Sequence, residues 1–92
     1  MVKVLIQYER EPDPERYQRH AAISRSVPGA RFAHGRVFGN PFGERRFVYY
    51  AEFEFDDMDA FQTAAHSPEF ARSGEDAAAM GIPFSVHFAE LR

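Results

Sequence analysis

Four histidines, at positions 20, 34, 66 and 87, and four tyrosines, at 8, 17, 49 and 50, are the side chains with which this sequence could move a proton. Imidazole changes charge near neutral pH, and a phenol hydroxyl can donate or accept a hydrogen bond. The chain has no cysteine, which removes thiolate nucleophiles, thiolate metal sites and disulfides. His20 is the most informative of the set. In RYQRHAAISRSVPG, residues 16–29, helical spacing places it on one stripe with Tyr17, Ala21, Ser24 and Val27. An unpaired imidazole among apolar neighbours costs roughly 1–3 kcal/mol, so a histidine there needs a reason. One reason is general-base catalysis on an acidic C–H or phenol, with Tyr17 or Tyr49 orienting the substrate and apolar surroundings keeping the ring neutral and basic. The other is packing, with the ring bonded to a backbone carbonyl or to Tyr17 or Tyr49.

The remaining histidines divide by position. His34 shares one side of a strand with Phe32, Arg36 and Phe38, whereas His87 lies opposite Phe84, Val86 and Phe88. Each faces a cavity or a partner subunit, so both are candidate substrate-binding residues, as is Phe47 on the same strand face as Tyr49. His66 precedes Ser67-Pro68 at a helix end, where a structural role beside the helix dipole is expected. The histidine spacing matches no HExxH or comparable signature, so no metal is expected. Gly35, Gly39 and Gly43 are not part of a GxGxxG or Walker motif, which argues against a nucleotide.

These residues must be carried by a small fold. VKVLIQYE, 2–9, alternates as a strand with aliphatic residues on both faces. Asp13 caps and Pro14 opens a helix running to about Ser26, before Pro28-Gly29. A second strand spans 30–38, a Gly/Asn/Pro turn spans 39–44, and RRFVYYAEFEF, 45–55, forms a third strand with Phe47, Tyr49, Ala51, Phe53 and Phe55 on one face. Asp56 or Asp57 caps a helix from about Met58 to His66; Ser67 caps another that starts at Pro68 and ends near Met80. The last strand is FSVHFAEL, 84–91.

Strand, helix, strand, strand, helix, strand predicts an α+β, ferredoxin-like βαββαβ domain filling 1–92: a four-stranded antiparallel sheet with helices on one face. Because strands one, three and four carry apolar residues on both faces, the open face needs a cover, and a second copy is the simplest one; a homodimer is expected. The composition, 45% hydrophobic with ten phenylalanines, belongs to a packed globular protein. A formal charge of −3 argues against a nucleic-acid partner. No stretch approaches a membrane span or a cleavable signal, so a cytoplasmic protein is expected.

An opening strand ending in VLIQYE, then PDPERYQRH with Pro28-Gly29 eight residues after the histidine, GRVFG at 35–39, YYAEFEFDD, SPEF at 67–70 and a closing FAEL together resemble the EthD-like family of the dimeric α/β-barrel superfamily. The resemblance spans nearly the whole chain, and His20 matches the histidine of the family pattern. It implies a homodimer whose sheets face each other, with a mostly apolar cavity between sheet and helices in each subunit. It also implies a small apolar organic ligand, handled by acid/base or oxygenase-type chemistry that needs no cofactor. The alternative is a non-catalytic dimeric accessory or binding protein for an oxygenase system, with the phenylalanines filling the would-be cavity. Cavity volume separates the two readings, since small-molecule sites start at roughly 300 Å³.

Overall fold

The computed structural model describes residues 1–92, in the order β1 (Val2–Tyr8), α1 (Pro14–Arg25), β2 (Arg31–Arg36), β3 (Tyr49–Phe55), α2 (Met58–Ala65), α3 (Pro68–Ala79) and β4 (Phe84–Glu90). Each helix starts where a short polar side chain replaces the missing backbone acceptor. Asp13 accepts from Arg16 N at 2.9 Å, Asp57 from Ala60 N at 2.8 Å, and Ser67 from Phe70 N at 3.1 Å. Pro14 and Pro68 occupy the first helical positions, where an absent N–H is harmless. The turn out of α3 needs a left-handed residue, and Gly81 supplies it with φ of 71°.

The four strands form one antiparallel sheet in the order β2-β3-β1-β4, the ferredoxin-like arrangement. Ile6 lies level with Ala51 on one side and Val86 on the other, and Phe32 with Phe53. Val2, Val4, Ile6 and Tyr8, together with Ala51, Phe53 and Phe55, therefore point to the helices and are buried. With Tyr17, Val27 and Ala64 they make one continuous core.

Two expectations need correction. The hairpin strands stop short of the predicted 30–38 and 45–55, leaving residues 37–48 as a connecting loop. Val37 N still donates to Val48 O at 3.0 Å, but beyond that rung Phe38 and Phe42 find no core, and Gly39, Pro41 and Gly43 favour turns over a ladder. The sheet face away from the helices is also less apolar than the alternation implied. Leu5 and Tyr50 lie there, but Lys3 pairs with Glu52 at 3.2 Å and Glu54 at 3.6 Å, and Tyr50 donates to Glu52 at 2.7 Å. Strand alternation cannot tell an aliphatic face from one whose charges pair across neighbouring strands.

Candidate functional site

His20 is the residue around which the interior polar groups converge. It sits on the inward stripe of α1 and is 1% exposed, yet its Nδ1 lies 2.8 Å from Oδ2 of Asp76 on α3. Asp76 is in turn gripped bidentately by Arg16, with Nη1 to Oδ2 at 3.0 Å and Nη2 to Oδ1 at 2.8 Å. One turn further along α1, Ser24 Oγ is 3.4 Å from His20 Nε2 and 2.9 Å from Ser73 Oγ of α3. A histidine facing a carboxylate carries its proton on the facing nitrogen, so Nδ1 donates to Asp76 and Nε2 keeps its lone pair. The 3.4 Å separation leaves that lone pair only weakly engaged by Ser24.

The electrostatics favour a neutral base. Burial draws the His20 pKa below its ordinary value, the hydrogen bond and charge of Asp76 oppose that shift, and the nearby Arg16 charge reinforces it. Arg16 beside Asp76 holds the carboxyl below the usual carboxylate range, so it stays ionised as the partner of the ring. These directions fix how stability depends on pH. Because folded His20 binds its proton less readily than the unfolded chain, its contribution is complete above an unfolded pKa of about 6.5 and is lost as pH falls below that toward the folded value. The contribution of Asp76 is present above its unfolded pKa of about 3.9 and is lost as pH falls through its lower folded value. Urea unfolding of the wild type followed from about pH 8 to pH 4 should therefore show midpoints that begin to drop below about pH 6.5, and His20→Gln should flatten this first decline. His34, also lowered by burial, contributes with the same sign but from a more exposed position.

Beside His20 lies a cavity of about 120 Å³ between sheet and helices. Val4, Ile6, Phe53, Phe70, Ala77 and Phe84 supply apolar wall, His20 and Ser73 the polar groups, and Val86 and Phe88 of edge strand β4 the outer margin. The volume is below the roughly 300 Å³ of ordinary small-molecule sites and near that of a cavity able to take up benzene, so it matches a single ring. No cation lines it, which disfavours an anionic ligand. Asp76, His20 and Ser24 stand in the order of a nucleophilic triad, but Ser24 is fully buried, off the cavity wall and bonded to Ser73, so a substrate carbonyl could not reach its Oγ.

The other residues singled out from sequence fall in four places. Tyr17 and Tyr49 stand behind His20 in an aromatic cluster: Tyr17 lies 5.1 Å from the His20 ring, 5.2 Å from Tyr49 and 4.9 Å from His34. His34 Nδ1 meets the Tyr49 hydroxyl at 2.7 Å, and Tyr17 and Tyr8 share a hydrogen bond at 3.1 Å. Burial pushes the Tyr17 hydroxyl well above the ordinary phenol range, so it remains protonated. Tyr17→Phe leaves the Tyr8 hydroxyl without this partner and should lower stability by about 1–2 kcal/mol, read from the urea midpoint. Of Tyr17, Tyr49 and His34 only Tyr17 packs on the His20 ring, and none of the three lines the cavity. His87 projects from the opposite sheet face, level with Leu5, and Phe47 sits in the 37–48 loop with the Arg46 guanidinium 5.0 Å from its ring. Neither reaches the cavity, because strand alternation turns one away and the early end of the hairpin ladder displaces the other. His66 caps α2, its Nδ1 2.7 Å from Gln62 O.

Asp76, Arg16 and Ser73 were the residues that sequence reasoning missed. The available signal was in ARSGEDAAAM, where Ser73 and Asp76 interrupt the stripe shared by Phe70 and Ala77. Polar groups on an inward stripe imply a partner, but nothing in the sequence names one 56 residues away.

Fold and site together define a ferredoxin-like protein with a small apolar cavity and one acid/base group at its wall. Residues 9–80 match the EthD domain, and the chain belongs to the EthD family. An EthD family protein of Bacillus halodurans is 29% identical, with a TM-score of 0.79 over 100% of this chain and 99% of that one. A dimeric ferredoxin-like protein of unknown function from a Jannaschia species is 22% identical, with a TM-score of 0.74 over 98% of each chain. SnoaB, a cofactor-independent oxygenase from Streptomyces nogalater, shares 21% identity and a TM-score of 0.66 over 99% of this chain and 92% of that one. No protein of curated function matches the sequence. None of the helices is long and apolar enough to cross a membrane.

Proposed function

We propose that the protein holds a small, neutral, mostly apolar organic molecule in the cavity and removes a proton from it with His20. The observation that carries this reading is a buried histidine at the wall of a mostly apolar cavity, His20, whose ring is held from outside that wall by Asp76. The proton passes from an acidic C–H or O–H of the ligand to Nε2, and the resulting imidazolium keeps its Nδ1–H on the Asp76 carboxylate, whose charge offsets the new one. Tyr17 packs against the ring, and Tyr49 and His34 pack in turn against Tyr17. The resulting carbanion or phenolate is the species an oxygenase-type reaction with dioxygen would consume, and the fold shared with SnoaB supports that direction. A cavity of about 120 Å³ limits the ligand to one ring or its equivalent.

The test needs no knowledge of the downstream reaction. The protein in deuterated water is given a small cyclic ketone or β-diketone, and deuterium uptake at the activated carbon is followed by NMR. Faster uptake with wild type than with His20→Gln supports the base; equal rates would remove His20 from any chemistry.

The small volume favours a second reading, in which the protein is a non-catalytic binding or accessory partner of an oxygenase system. Ligand binding without accelerated exchange would select it. In either case the working unit is taken to be a homodimer packed through the open sheet faces. The Jannaschia relative, a dimeric protein, supports that assembly, as does the sheet face that no helix of this chain covers, where Leu5 and Tyr50 remain half-buried.

A further inference from the structure

The cavity is not closed by its own chain. Val86 and Phe88, both lining it, are 43% and 62% exposed, and beyond Phe61, whose ring lies 5.1 Å from Phe88, no other ring meets Phe88. The same chain carries two aromatic side chains with nowhere to pack: Phe38 and Phe42, 89% and 86% exposed in the 37–48 loop. This loop is a built projection. Asn40 Nδ2 donates to Phe42 O at 2.7 Å and Gly43 O at 2.9 Å, Gly43 takes the left-handed φ of 78° that the reversal requires, and the Val37–Val48 rung closes the base.

We infer that the loop of a second copy of this chain covers the cavity mouth, placing Phe42 and Phe38 against Phe88 and Val86. Charge favours this occupant. The loop and its base carry Arg36, Arg45 and Arg46 against Glu44, with Arg46 also 3.4 Å from Glu9, whereas α3 and β4, which line the mouth, carry Glu69, Glu75 and Glu90 against Arg72, Asp76 being held by Arg16. Direction favours it as well. The loop leaves the sheet level with Phe84, because Arg36 pairs with Tyr49, Tyr49 with Tyr8, and Tyr8 with Phe84. Phe88 lies four residues farther along β4, roughly 13 Å away, toward the other end of the sheet. A two-fold axis lying diagonally across the open sheet faces exchanges the β2 edge for the β4 edge and one strand end for the other, so the loop of one copy comes to the Phe88 end of its partner, and each copy then supplies one loop and receives one. Partner aromatics would thereby complete the cavity wall and exclude water from the His20 side.

The absence of native cysteine allows a direct test. Phe42→Cys and Phe88→Cys, both at exposed positions, are made as separate full-length chains, co-expressed, and oxidised gently. The expected product is a covalent dimer in which mass spectrometry finds a disulfide between position 42 of one chain and position 88 of the other, formed in preference to disulfides between like positions. Crosslinks between like positions only, or none while the protein remains dimeric by light scattering, would overturn the assignment. A protein that is monomeric at high concentration would overturn it as well. Proton exchange at His20 is read separately, so failure of the interface leaves the reading of the cavity untouched.

Discussion

Replacing His20 with glutamine is expected to slow deuterium uptake by a cavity-sized ketone by about 10²- to 10⁴-fold, the range a positioned general base contributes. Glutamine can still donate an amide N–H toward Asp76, so the ion pair of Asp76 with Arg16 persists and the fold is retained. His20→Ala should lose the exchange to the same extent, but for a less informative reason. It opens a void beside the existing cavity and strips Asp76 of one donor, and a buried large-to-small change of this kind costs about 2–4 kcal/mol. For a domain whose total stability is about 5–15 kcal/mol, that is a substantial fraction. The contrast between the two substitutions separates chemistry from packing. Exchange that survives in the folded glutamine variant would show that the ring is structural, as a histidine satisfied by Asp76 and Ser24 can be.

The second large effect is expected at Asp76, which touches no cavity wall and acts through the ring. Asp76→Asn removes the charge that orients Nδ1–H and offsets the imidazolium, and exchange should fall at least about 10²-fold. The pH profile distinguishes positioning from mere damage. Asp76 raises the His20 pKa against the larger, lowering influence of burial, so in Asp76→Asn the acid limb of the exchange rate should move to lower pH. A variant that simply packs badly would lose amplitude without that displacement. The neutral amide also presents a donor toward Arg16, so Asp76→Asn should lose some stability, whereas Asp76→Glu should recover part of both the rate and the acid limb.

The elements that carry the site were legible because each has a local cause. Asp13, Asp57 and Ser67 with the prolines that follow two of them mark helix starts, and VKVLIQY and YYAEFEF alternate with the period of a strand. His20 drew attention for the same reason, since a titratable residue on the stripe of Tyr17, Ala21 and Ser24 conflicts with its neighbours at helical spacing. The hairpin ends were not legible. Phe47 continues the alternation of β3 on paper, but strand pairing requires a partner, and β2 ends at Arg36 where Phe38 turns out to solvent. The polar character of the open sheet face was also hidden, because Lys3, Glu52 and Glu54 meet only after β1 and β3 pair.

The sequence by itself determined the order of elements, the fold they make, the family motifs and the inward position of His20, all of which follow from residues within a few turns of one another. Only the tertiary structure decided the partner of that histidine and the size and opening of the cavity beside it. Asp76 reaches His20 because α1 and α3 lie side by side over the sheet, and Val86 and Phe88 meet the cavity because β4 pairs with β1 at the sheet edge. Short-range periodicity specifies which way a side chain points, whereas the chemistry of a site depends on what stands opposite it, and chain closure over 50 residues or more leaves no local trace of that.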